Sequence, residues 1–354
     1  LINEAMLPDP ETVAGYLAEA AVVVDVRSPA EFERGAVAGA VNIPLFSDDE
    51  RAEIGTLYKA LGRDRAVGRG RGLVEGRLAE FAAAFDPFRG REILVYCARG
   101  GMRSASVVEL LAGLEHKVTQ LPGGYKAYRN HLLHKFQHSL PPRLIVIHGQ
   151  TGVGKTLLLQ RLENRLDLED AASHRSSVFG AINLNPRTQQ NFEAELGRLL
   201  DGLDHGRPVW VEGESRKIGG VFMPDALRRQ MQISDCVLVT APLETRVERI
   251  VAEYGQTPQK ALEQWEQALA QLTRVLGRER TSSMLARIAA GDLHSVAAEL
   301  LVDYYDPRYA HSMKNNRYGL TVSAEDLDAA AAELEKFARN LDKSPAPGPS
   351  RGAL

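Results

Sequence analysis

Cysteine is nearly absent: the 354 residues contain two, Cys97 and Cys236. A disulfide framework needs several cysteines, and a zinc site needs clustered Cys or His ligands, so both are excluded. Two such distant thiols suit a reducing compartment. Long apolar runs are absent as well. No stretch approaches the ~20 apolar residues of a membrane span. Leu1–Pro10 lack the basic-then-apolar order of a secretion signal. The expectation is a cytoplasmic protein without a membrane partner. An excess of one charge is also missing. The 43 Lys and Arg nearly balance the 46 Asp and Glu, for a net charge of -3. That balance names no partner, because a basic face can hide inside it. The apolar share of 44% excludes wholesale disorder and allows a real core. The length suits about two domains.

Acid is locally missing in one place. His116–Leu162 holds no Asp or Glu, yet carries Lys117, Lys126, Arg129, Lys135, Arg143, Lys155 and Arg161 with several histidines. A positive seam there would attract a polyanion such as RNA. A solvated connecting helix is the alternative.

Apolar runs alternate with helical patterns, which is the signature of α/β architecture. Val22–Val26, Ile93–Tyr96 and Val118–Leu121 read as strands, and Ser104–Leu111 as a helix. After Pro141-Pro142 a second series begins. Leu144–Ile147, Val209–Val211 and Val237–Val239 read as strands. Lys155–Leu166, Glu244–Tyr254, Pro258–Leu276 and Ala324–Leu341 read as helices. The expected organisation is a domain over residues 1–135, a linker over 136–143, a second domain over 144–341 with a helical C-terminal part, and a disordered tail over 342–354 rich in Pro and Gly.

Cys97 ends the buried run Ile93–Tyr96 and is followed by Ala98-Arg99-Gly100-Gly101-Met102-Arg103-Ser104, where a helix begins. Gly100 and Gly101 let such a loop turn its amides inward around an anion. The helix start, Arg99 and Arg103 add positive charge. Together they should lower the thiol pKa and expose a nucleophile. A buried structural cysteine would not need two glycines and two arginines after it. The spacing of Cys97 and Arg103, C-x5-R, also fits cysteine phosphatases, although no aspartate follows as an obvious general acid. Cys236, inside an apolar run without a charged loop, reads as a packing residue.

Gly149-Gln150-Thr151-Gly152-Val153-Gly154-Lys155-Thr156 satisfies G-x-x-x-x-G-K-[ST] between a strand and a helix. Its backbone can cradle phosphate oxygens, with Lys155 as point charge and Thr156 reaching Mg²⁺. Glu212 could supply an acid for that ion, or merely pair with Arg216 or Lys217. No separate metal site and no tightly bound cofactor are expected. No base-reading motif is visible, so a nucleotide and another diphosphate both remain open.

The cysteine loop, with Asp25-Val26-Arg27-Ser28-Pro29-Ala30-Glu31-Phe32 and Gly35–Pro44, resembles rhodanese-like domains over about the first 130 residues. In that family the cysteine carries a sulfane sulfur. The cysteine loop here is a residue longer than many rhodanese loops, which suits a larger donor. With the P-loop domain behind it, the whole chain resembles the bacterial tRNA 2-selenouridine synthase family. The motifs that carry this are Tyr96–Ser104, Gly123–Arg129, the P-loop, Asn185–Glu193, Glu212–Gly219 and Tyr304–Tyr309.

The resemblance implies an N-terminal rhodanese-like α/β domain and a P-loop α/β domain, acting as a monomer on the anticodon loop of tRNA. It implies geranylation of wobble 2-thiouridine with geranyl diphosphate, then replacement of the geranylated sulfur by selenium from selenophosphate. Cys97 would be the selenium-carrying residue. Lys126, Arg129, Arg216, Lys217, Arg308, Lys314 and Arg317 are candidate substrate or phosphate contacts. Tyr125, Tyr128, Tyr304, Tyr305 and Tyr309 are candidate stacking groups. The alternative is a sulfurtransferase or phosphatase for a small molecule, with a nucleotide-binding regulatory domain.

Overall fold

The computed structural model describes residues 7–175, 177, 179–180, 182, 184–254, 260–308 and 316–341. The expected tail over 342–354, Tyr309 and Lys314 lie outside the described residues. The chain forms two compact units. The first comprises residues up to Ser139 together with Thr188–Gly197. The second comprises Leu140–Arg187 and the residues from Arg198 on.

The first unit holds a parallel four-stranded sheet of β1 (Val22–Asp25), β2 (Val41–Asn42), β3 (Ile93–Tyr96) and β4 (Val118–Gln120), in the order β2-β1-β3-β4. All four residues of β3 are buried. Such continuous burial explains why the strand reads as an unbroken apolar run rather than an alternating one. Val24, Val95, Phe85 and Leu111 pack in its core. The charged pair Asp25–Arg27 is also interior: Arg27 donates to Asp25 at 2.6 Å and to the Gly35 carbonyl at 2.6 Å. Its guanidinium lies 4.0 Å from the Tyr125 ring centroid, so it is satisfied on every side.

Residues 188–197 explain part of the Asn185–Glu193 motif. Asn191 accepts the Ala36 amide at 3.0 Å and donates to the Glu33 carbonyl at 3.0 Å. The Thr188 hydroxyl donates to the Arg34 carbonyl at 2.8 Å. A Cβ on Gly35 would lie 2.4 Å from both the Gln190 side chain and the Tyr125 hydroxyl. Glycine is required there by crowding. The chain distance hides these contacts from any local reading.

The second unit holds a parallel five-stranded sheet, with β5 (Leu144–His148) central. Its other strands are β6 (Arg165–Leu166), β7 (Val209–Glu212), β10 (Asp235–Thr240) and β11 (Leu320–Ser323), in the order β11-β10-β5-β7-β6. A small hairpin, β8 (Lys217–Ile218) with β9 (Val221–Phe222), stands apart. The helix expected over Lys155–Leu166 is corrected: it ends at Leu159, and Arg165–Leu166 form edge strand β6. Leu158, Leu159, Leu162 and Leu166 are all fully buried, so their helix-like spacing reported burial correctly but not conformation. Asn164 diverts the chain: its side chain donates to three carbonyls between Asp204 and Pro208.

A helical layer, Leu243–Tyr254, Lys260–Leu276, Arg278–Ala289 and Leu293–Leu300, packs around Trp265, Leu269, Met284 and Leu300. It closes in a π-helical turn, Leu301–Tyr305. Such turns are uncommon and often mark functional sites. Among the described residues no helix is long and apolar enough to cross a membrane.

Candidate active sites: the cysteine loop and the phosphate loop

Both loops leave the carboxyl ends of central parallel strands, where open α/β sheets bind ligands. Cys97 follows β3, and the helix Met102–Gly113 starts five residues later. The Gly101 amide points at Cys97 Sγ at 3.3 Å, and the Ser104 hydroxyl reaches it at 3.2 Å. Gln120 donates to the Ser104 oxygen at 2.7 Å, leaving the hydroxyl proton for the sulfur or the Gly101 carbonyl. Gly100 has φ 61°, and a Cβ there would meet the Gly123 amide at 2.7 Å. The Gly123-Gly124 pair closes the loop from below: Tyr125 N–H donates to the Cys97 carbonyl and Lys126 N–H to the Ala98 carbonyl.

Burial by itself pushes the Cys97 thiol up. The Ser104 hydroxyl, the Arg99 and Ser104 amides and the Arg103 charge outweigh it, so the net shift is down. Ser104→Ala should therefore move the thiolate titration up and slow iodoacetamide alkylation of Cys97 at neutral pH several-fold. A pH–alkylation profile checks this; an unchanged midpoint would remove Ser104 from the anion cradle.

Arg103 plays a different part from the one its spacing suggested. Its two terminal nitrogens both engage Glu31, at 2.7 and 3.3 Å, rather than standing free for a phosphate. The C-x5-R spacing is present, but the arginine fork is occupied, which weighs against the phosphatase alternative. Arg99 remains exposed beside the loop. Lys126 is exposed, whereas Arg129 is ion-paired with Glu193. Tyr125 and Tyr128 are buried, so they pack the unit and do not offer stacking faces.

In the second unit the phosphate loop follows β5. Gly152 and Gly154 have φ 80° and 90°, the left-handed backbone that glycine adopts without strain. Lys155 Nζ donates to the Gly149 carbonyl at 3.1 Å across the loop. Buried Arg246 donates to the Thr151 carbonyl at 2.8 Å and forms a double ion pair with Asp306. That pair gives Asp306 of the Tyr304–Tyr309 motif a role in bracing the loop. Arg249 donates to the Val153 carbonyl at 2.7 Å.

Glu212 ends β7, one strand away from the loop, and is 1% exposed. It is not the partner of Arg216, which pairs with Asp225 at 3.4 Å. Its Oε1 is buried without a hydrogen-bond partner. Burial first, then the negative charges of Glu169 and Glu214, hold its carboxyl well above the usual range. Ligand atoms of Glu169, Glu212 and Glu214 lie within 4.8 Å of one another. An orphaned buried carboxylate oxygen among two other acids, beside Thr156, fits a hard divalent cation. The sequence reading singled out only Glu212. Glu214, two residues on, could have been flagged; Glu169 carries no local signal. His148, last in β5, is pushed down to about 4 by burial and the Lys155 charge.

Two of the cavities that border this loop reach aromatic side chains. One, of about 440 Å³, runs from Lys155 and Thr156 to Phe179, Tyr254, Trp265, Leu300 and Leu301. The other, of about 960 Å³, runs from His148 and Gly149 past Arg216, Lys217 and Arg228 to Tyr304 and Arg308. Neither cavity was visible in the sequence, because its walls come from segments more than a hundred residues apart. Cys236, expected in the core, is half-buried and borders the second cavity.

Two family profiles match the chain. The profile of the tRNA 2-selenouridine synthase AAA domain matches residues 142–339. That of the rhodanese-like domain matches residues 9–131. The tRNA 2-selenouridine synthase of Serratia proteamaculans (strain 568) is 35% identical over 322 residues, covering 82% of this chain and 87% of that protein. A solved N-terminal domain from Clostridium difficile 630, of a protein described as ATP/GTP binding, is 42% identical. It covers 34% of this chain and 95% of its own, with a TM-score of 0.32. An uncharacterized protein from Eubacterium ventriosum ATCC 27560 covers 56% of this chain and 99% of its own at 11% identity, with a TM-score of 0.24. A rhodanese-like domain followed by this particular AAA domain, shared with a curated relative over most of both lengths, shows that the chain belongs to the tRNA 2-selenouridine synthase family.

Proposed function

We propose that this transferase converts wobble 2-thiouridine of tRNA to 2-selenouridine in two steps. The first is S-geranylation with geranyl diphosphate held by the phosphate loop. The second is selenium transfer from selenophosphate at Cys97.

The observation that carries the first step is the aromatic and aliphatic cavity continuous with Lys155 and Thr156. A phosphate cradle opening onto Phe179, Trp265 and Leu300 suits an amphiphile with a diphosphate head and an apolar tail. In the reaction the thiocarbonyl sulfur forms a bond to the allylic carbon. The carbon–oxygen bond breaks with its electrons going to diphosphate, and the base loses its N3 proton to solvent. Loop amides and Lys155 would stabilise the leaving charge. Glu169, Glu212, Glu214 and Thr156 would hold Mg²⁺, which supplies further neutralisation of that charge when bound.

In the second step selenium forms a bond to C2 and the geranylthio group leaves as the thiol. The selenophosphate phosphorus leaves as phosphate after its P–Se bond is hydrolysed. The Cys97 loop, with its inward amides, would position the intact selenophosphate, so selenium passes to C2 at its own oxidation level and no Cys97–selenium bond is formed. An enzyme that makes selenophosphate must supply this donor.

Inorganic diphosphate should compete with geranyl diphosphate, whereas ATP should not. Trp265→Leu should raise the KM for geranyl diphosphate about tenfold, since it removes much of an aromatic wall. It should leave inhibition by inorganic diphosphate unchanged, because the head group does not reach that wall. Geranylation that consumes ATP stoichiometrically would overturn the assignment of the loop.

A further inference from the structure

We propose that the hairpin Lys217–Phe222 and the cationic cavity adjoining it receive the unstacked nucleotides of the RNA substrate. This rests on tRNA being the substrate, and not on which phosphorylated ligand the loop holds.

The hairpin is an unusual piece of surface. Its two strands are two residues each, paired Lys217 with Phe222 and Ile218 with Val221. Ile218 and Val221 are buried and anchor it, while Phe222 is 46% exposed. Arg216 Cζ and Lys217 Nζ both lie 5.8 Å from the Phe222 ring centroid. A partly exposed aromatic ring with two cations over it has the components of single-stranded nucleic-acid binding. The ring stacks a base of any identity, and the cations take its phosphates.

The cavity continues this chemistry inward. Arg216, Lys217, Arg228 and Arg308 border it, against one bordering carboxylate among the described residues, Glu214. Arg216 and Arg228 share Asp225 at 3.4 and 3.9 Å, long contacts that a phosphate can replace. The Arg308 guanidinium lies 3.7 Å from the Tyr304 ring centroid, a second cation–aromatic pair on the same wall. The volume of about 960 Å³ suits a nucleotide rather than a single anion.

The placement also makes sense of the reaction. The cationic cavity and the apolar cavity have three bordering residues in common: Ser177, Glu214 and Tyr305. A base entering from the cationic side and a tail lying in the apolar side would therefore meet beside the phosphate loop. The Glu212–Gly219 motif becomes intelligible on the same ground: it runs from the acid beside the phosphates to the nucleotide-binding hairpin.

The test uses the full chain and an anticodon stem-loop RNA carrying 4-thiouridine at the wobble position, with no diphosphate present. Irradiation followed by peptide mass spectrometry should place the crosslink within residues 213–236 or 304–308. Separately, Phe222→Ala and Arg228→Gln should each weaken RNA binding about tenfold. Arg228→Gln should also reduce the salt dependence by about one counterion, while Phe222→Ala leaves it unchanged. Phe222 is a surface residue, so its truncation should not disturb folding, which a thermal melt confirms. Wild-type affinity in both variants, or crosslinks confined to other segments, overturns the proposal while leaving the tRNA substrate intact. Failure of the wild-type chain to bind the RNA at all overturns both.

Discussion

Cys97→Ser should abolish selenium incorporation, by at least about a thousandfold, while geranylated tRNA continues to accumulate. The change removes one atom type and little volume, so the packing beneath β3 survives. The cradle of the Gly101 amide, the Ser104 hydroxyl and the Arg103 charge also survives. What is lost is the group the cradle serves. The lowered pKa of the thiol raises its thiolate fraction, whereas a serine hydroxyl in the same place remains protonated. Nucleoside mass spectrometry of the tRNA after incubation with both donors reads the two products directly. Selenouridine formed at the wild-type rate would take Cys97 out of the chemistry. Loss of both products would point instead to a role in binding the RNA.

The two loops were legible because each is a local device. A strand, a few glycines, a cation and a helix start lie within a dozen residues, and the backbone geometry follows from them. Gly152 and Gly154 adopt left-handed backbone as the P-loop pattern allows, and Cys97 has an amide donor of the kind its loop suggested. The parallel sheets were legible for a related reason, since buried strands such as Ile93–Tyr96 are unbroken apolar runs. Where the reading fell short, the cause was contact over distance. Arg103 looked free until Glu31, more than seventy residues earlier, was brought beside it. Arg129 looked available to RNA until Glu193 took it. The leucines after Lys155 looked like one helix, because burial alone does not distinguish a helix from a turn and an edge strand. Ser104 was in plain view but had no evident role until its hydroxyl was found on the sulfur.

Lys155→Ala should have the converse effect to Cys97→Ser. Geranylation should fall by about a hundred- to a thousandfold, the usual cost of removing one donor aimed at a developing charge. Selenation of 2-thiouridine tRNA should fall with it, because the second step consumes the product of the first. The discriminating arm supplies tRNA that is already S-geranylated. Lys155→Ala should convert that substrate to selenouridine at close to the wild-type rate, since the leaving group is then a thiol and no diphosphate is involved. Cys97→Ser should not convert it at all. A mixture of the two variants should restore the full conversion of 2-thiouridine tRNA if the geranylated intermediate dissociates and rebinds. If the intermediate is instead passed within one molecule, the mixture should accumulate geranylated tRNA. Either result follows from placing the two chemistries on separate loops. A Lys155→Ala protein that geranylates normally would show that the loop's charge serves some other ligand, and the apolar cavity beside it would then need a different occupant.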